Sequence, residues 1–80
     1  MELTKWSYTK RYNIKALFNA YPNSVVIFRK IKNYYFVYTI QWSMSDPVVT
    51  KSALEEMERL LNHELGMAED YGGRKHFRNR

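Results

Sequence analysis

Residues 11–23 read RYNIKALFNAYPN. Ile14, Leu17, Phe18 and Tyr21 recur at helical spacing, Asn13 can cap the start, and Pro22-Asn23 ends the run. The stretch predicts a helix of about nine residues, too short to stand alone, so it must dock to persist. Placed after one strand and before two more, this helix sets the expected order as β-α-β-β-α.

The flanks follow from that reading. On the N-terminal side, ELTKWSYT (2–9) alternates loosely, with Thr4, Trp6 and Tyr8 on one side and Leu3, Lys5 and Ser7 on the other, the pattern of a strand. On the C-terminal side, SVVIFRKI (24–31) and YYFVYTIQW (34–42) are rich in β-branched and aromatic residues and separated by Lys32-Asn33. They predict a tight hairpin. Pairing Ile31 with Tyr34 puts Arg29 opposite Phe36, Ile27 opposite Tyr38 and Val25 opposite Ile40. One face then carries Val25, Ile27, Ile31, Tyr34, Phe36, Tyr38, Ile40 and Trp42. The other carries Val26, Phe28, Lys30, Tyr35, Val37, Thr39 and Gln41. The second set is the more polar and is expected to meet solvent or a ligand.

Further on, Leu54, Met57, Leu61 and Leu65 form one apolar stripe of a long amphipathic helix. Asp46-Pro47 and Ser52 with Glu55 are alternative start signals, and Gly66 fits the stop. The expected fold is therefore α+β: a small antiparallel sheet with one long C-terminal helix packed on one face. Residues 1–66 form the domain, and residues 67–80 form a basic tail.

Size bounds the chemistry. Eighty residues make one domain, bury about 60% of the unfolded surface and hold roughly 4–12 kcal/mol of stability. With 45% hydrophobic and 26% charged residues the chain has a globular composition. The absence of cysteine excludes disulfides, thiolate catalysis and cysteine zinc sites. No stretch has signal-peptide or membrane-span character, so a cytoplasmic, intracellular protein is expected.

The stretch LNHELGM (61–67) approaches the His-Glu-x-x-His zinc signature, but Met67 stands where the second histidine belongs. Taking Leu61 as the centre of the stripe, His63 lies about 200° round the helix, facing water in the last turn. An ordinary helix end is the simpler reading. No acid pair, serine–histidine arrangement or phosphate-cradling glycine loop appears. Neither an enzyme, a cofactor nor a metal is expected.

Charge gives the functional lead. Net charge is +5, distributed unevenly. Residues 1–52 hold eight cations against Glu2 and Asp46, a net +6; residues 53–70 hold six acids against Arg59, a net −5; residues 71–80 add four cations. Arg29, Lys30 and Lys32 beside Tyr34 and Tyr35, with Lys10, Arg11 and Lys15, predict a surface where cations hold phosphates and tyrosines stack on bases. The tail RKHFRNR adds Arg74, Lys75, Arg78 and Arg80 as an arginine-rich arm. The expectation is a small non-catalytic module that binds DNA or RNA. The competing expectation is an accessory protein of viral or plasmid type that binds and modulates or inhibits a host protein, with a homodimer as one form it could take.

Overall fold

The computed structural model describes residues 1–73; the expected arm of Arg74, Lys75, Arg78 and Arg80 lies outside the described residues. The chain runs through four strands, β1 (Leu3–Tyr8), β2 (Ile14–Phe18), β3 (Tyr21–Ile31) and β4 (Tyr34–Gln41), then two helices, α1 (Lys51–Glu64) and α2 (Ala68–Gly73). The strands form one antiparallel meander in the order β1-β2-β3-β4.

The expected β-α-β-β-α order is corrected at the stretch that decided it. Residues 14–18 are a strand, and the C-terminal helical part is two helices, of 14 and 6 residues, not one. The reason lies in spacing. Ile14 and Phe18 are four apart, a separation common to the helical and the alternating pattern. Burial follows the alternating one: Ile14, Ala16 and Phe18 are at most 1% exposed, while Lys15 between them is exposed and Leu17 half-buried. Asn13 caps no helix; its carbonyl accepts from Thr9 N–H at 2.7 Å and closes the β1–β2 turn. Tyr12 sits there at φ 63°, a left-handed residue of the kind that short hairpin loops require.

The hairpin register also departs from expectation past a bulge. Ile31↔Tyr34 and Arg29↔Phe36 pair as read from the sequence. Phe28 then pairs with Val37 and Ile27 with Thr39, so Tyr38 is an extra residue. Beyond it Ile40 falls opposite Val26 rather than Val25. The bulge turns both Val37 and Ile40 toward the core.

The core face is the reverse of the expected one. Val26, Phe28 and Tyr35 are at most 3% exposed and pack with Ile14, Ala16, Phe18, Met57 and Leu61. α1 covers this face and leaves the other open. Thr50 is its cap, accepting from Ala53 N–H at 3.1 Å. Gly66 at φ 75° ends it, with Gly66 N–H bonding to His63 O and Met67 N–H to Asn62 O, the paired bonds of a glycine stop. Residues 68–73, assigned to the tail by sequence, form α2, whose Tyr71 is 7% exposed. Among the described residues no helix is long and apolar enough to cross a membrane.

Candidate functional site

The covered side of the sheet is chemically closed. Asn62 is fully buried; its Oδ1 accepts from Tyr35 N–H at 2.8 Å, and its Nδ2 donates to Tyr35 O at 2.8 Å and Glu58 O at 2.7 Å. Glu58 accepts from Val37 N–H at 2.9 Å and from the Tyr71 hydroxyl at 2.8 Å. Two helix side chains thus satisfy backbone groups that β4 would otherwise present as a bare edge. Asp46, 6% exposed, accepts from Asn23 N–H, Asn23 Nδ2 and Ser24 Oγ, the last at 2.6 Å. It ties the loop before α1 to β3.

The open face is built differently. Cross-strand partners share a face, so Lys5, Ser7, Lys15, Leu17, Val25, Ile27, Arg29, Phe36 and Thr39 lie on the side away from α1. No aspartate or glutamate is among them. The bulge re-aims Tyr38, 52% exposed, so that the Arg29 guanidinium lies 3.7 Å from its ring centroid. This stacked pair is a cation–π contact. Beside β1 and β2, Lys5 and Lys15 border a depression of about 160 Å³ floored by Leu17 and Val25. Among the described residues the ion pairs join Glu56 to Arg59 and to the N-terminal amine; Lys5, Lys15 and Arg29 are in neither.

The twelve residues singled out by sequence are distributed as follows. Arg29 and Lys15 share the open face. Lys10, Arg11 and Lys32 sit in the β1–β2 and β3–β4 turns, which a meander places at the same end of the sheet. The Tyr35 hydroxyl, donating to Tyr12 O at 3.1 Å, joins these turns. Lys30 pairs with Tyr35 and so points to the helix side. Tyr35 itself is 3% exposed, leaving no ring face for a base. Burial, and next the nearby Tyr8, push its phenol above the usual value of 10.0. Tyr34 is half-buried, edge-to-face with Tyr71 at 6.0 Å. Arg74, Lys75, Arg78 and Arg80 lie outside the described residues.

The residues that sequence reasoning missed are Lys5, Phe36 and Tyr38. The correct Arg29↔Phe36 pairing carried the signal for Phe36. The signal for Lys5 was its place in β1, two residues from the partner of Lys15. Nothing in the sequence marks the bulge that turns Tyr38.

The family described as "Uncharacterised protein YuzH" matches residues 2–76, and the chain belongs to that family. Neither a curated protein nor a solved structure matches the chain.

Proposed function

We propose that this YuzH-family chain is a non-catalytic binding module for single-stranded nucleic acid, acting in the cytoplasm through the open face of its sheet. The observation that carries the reading is a set of cations outside the ion pairs of the described residues, Lys5, Lys15 and Arg29, beside the re-aimed Tyr38 on a face to which the described strands bring no aspartate or glutamate. The six acids of residues 53–70 belong to α1 (Glu55, Glu56, Glu58 and Glu64) and α2 (Glu69 and Asp70), and α1 covers the opposite face of the sheet. A polyanion approaching the open face therefore meets Lys5, Lys15 and Arg29 with the acids of α1 behind the sheet.

Single strands suit this surface better than duplex. A sheet face cannot enter a groove as a helix does, but an unstacked base can lie on a guanidinium plane. Arg29, held flat by Tyr38, presents such a plane. Lys5 and Lys15 are then placed on neighbouring strands for the adjoining phosphates, and Lys10, Arg11 and Lys32 extend the field at the turn end.

The test is binding of single-stranded DNA and RNA oligonucleotides by fluorescence anisotropy across a salt series. Each phosphate contact on a single strand contributes roughly 0.7 to the slope of log affinity against log salt. The triple variant Lys5→Gln, Lys15→Gln, Arg29→Gln should flatten the slope by about 2. No binding at low salt, or an unchanged slope in the variant, overturns the reading.

A second reading, a protein partner on the same face, is supported by the exposure of Ile31 (45%) and Tyr38 (52%). It predicts capture that survives nuclease and high salt and that depends on these aromatic and apolar positions rather than on the lysines.

A further inference from the structure

We propose that the outer edge of β1, which pairs with no other strand among the described residues, is an interface for a second copy of this chain, with two β1 strands pairing antiparallel about a two-fold axis at Ser7. The inference is independent of the nucleic-acid reading.

The outer edge of β4 is occupied by Asn62 and Glu58. No helix side chain among the described residues makes a hydrogen bond to the backbone of β1; Glu2 N–H bonds to Asn19 Oδ1 and the Thr4 hydroxyl to Leu17 O, both toward β2 and its turn. The ladder shows which groups face outward. Thr9 N–H bonds to Asn13 O, and antiparallel pairs alternate between bonded and non-bonded. Ser7 and Lys5 therefore spend their backbone groups on Lys15 and Leu17. Trp6 and Tyr8 turn theirs to the open edge.

The register follows from three features. A break between Leu3 and Lys5 disturbs the near end of the strand, so the regular stretch runs from Lys5 to Thr9, with Ser7 at its centre. Pairing about Ser7 sets Trp6 opposite Tyr8 of the second copy, twice, and each pair exchanges two backbone hydrogen bonds. Trp6 and Tyr8 already meet edge-to-face at 5.5 Å, and Tyr8 is 56% exposed, so the junction gathers four aromatic rings on the side of α1. Finally, the register puts Lys5 against Thr9 rather than against its own copy. An axis at Lys5 would oppose two ammonium groups directly, which is destabilising. The result is an eight-stranded sheet with one continuous open face, and an isologous contact that closes after two copies.

The chain has no native cysteine, which makes cross-linking a clean test. At a two-fold axis through a non-bonded pair the two Cα atoms lie about 4.5 Å apart, inside the range of about 4.4–6.8 Å that a disulfide spans. Ser7→Cys should form a covalent dimer under mild oxidation. Lys5→Cys should not, its two copies being roughly 13 Å apart, but a mixture of Lys5→Cys and Thr9→Cys chains should cross-link. Tyr8→Pro removes an outward N–H that the β1–β2 ladder does not use. In sedimentation equilibrium it should weaken self-association at least about tenfold with unchanged circular dichroism. A wild-type chain that stays monomeric at all concentrations, or Lys5→Cys linking as readily as Ser7→Cys, overturns the proposal.

Discussion

The two faces of the sheet solve opposite problems with the same alternation of residues. Toward α1, polar groups are few and matched: Asn62, Glu58 and Asp46 are almost wholly buried, and each has partners within 3.1 Å. Away from α1, Lys5, Lys15 and Arg29 stand outside the ion pairs of the described residues. A buried polar group without a partner costs free energy, whereas an exposed lysine costs almost none. The difference teaches where selection for stability acts. Residues on the covered side are answerable for the fold, and those on the open side are free to serve a ligand.

The sharpest way to break this contrast is Asn62→Ala. It removes three hydrogen bonds at once and leaves the Tyr35 N–H and carbonyl buried against a methyl group. The expected loss is about 2–4 kcal/mol, a large share of what a domain of this size holds. Urea unfolding followed by circular dichroism measures it. A loss below about 0.5 kcal/mol, the range of ordinary surface changes, would mean that water substitutes freely and that the edge of β4 is not sealed.

Asn62 also marks the limit of sequence reading. The apolar stripe Leu54-Met57-Leu61 announced α1, and Gly66 announced its end, because both signals are local. The hairpin was legible from its β-branched and aromatic runs, and its register was right as far as Arg29↔Phe36. Three things were hidden. Residue 62 lies beside the stripe and reads as a surface asparagine until β4 is known to pass within reach. Burial at Ile14 and Phe18 fits two periods, and taking the helical one removed β2 from the sheet. Without β2, nothing tied Val26 and Phe28 to the core, so the faces of the hairpin were exchanged. The candidate site inherited that exchange: Tyr35 was expected outside, and Tyr38 and Phe36 inside. Arg29 and Lys15 were singled out by charge alone: Lys15 had been assigned to a helix and Arg29, opposite Phe36, to the hairpin face expected to be covered, and only the meander brings the two together on the open face.

A smaller effect sharpens the contrast at the sheet's turn end. Tyr35→Phe deletes the hydrogen bond to Tyr12 O and should cost about 1 kcal/mol near neutral pH. The phenol's titration gives a second readout. Burial, then the neighbouring Tyr8, hold Tyr35 above its usual 10.0, while the unfolded chain ionises near about 10. The folded state thus keeps the proton longer than the unfolded state. The stability associated with it is fully present below about pH 10 and is lost as pH rises toward and through the raised folded-state value. Urea midpoints of wild type and Tyr35→Phe should therefore converge at alkaline pH. A gap that stays constant would mean that Tyr35 titrates as a surface phenol does.

The smallest expected change tests the open face. Lys15 lies on β2, flanked across the strands by Ser7 and Ile27, and the described strands bring no aspartate or glutamate to its face. Lys15→Gln keeps the first two of the four stem methylenes, beside the Leu17–Val25 depression, and replaces the ammonium by a neutral amide. Stability should change by less than about 0.5 kcal/mol, and relief of repulsion from Lys5 makes a slight gain the natural sign. Oligonucleotide affinity should nonetheless fall, since Lys15 is in neither ion pair of the described residues and its charge is left for what arrives from solution. A loss of stability above about 1 kcal/mol would place Lys15 among the residues that hold the sheet. The open face would then be a structural surface, and its charge could no longer be assigned to a ligand.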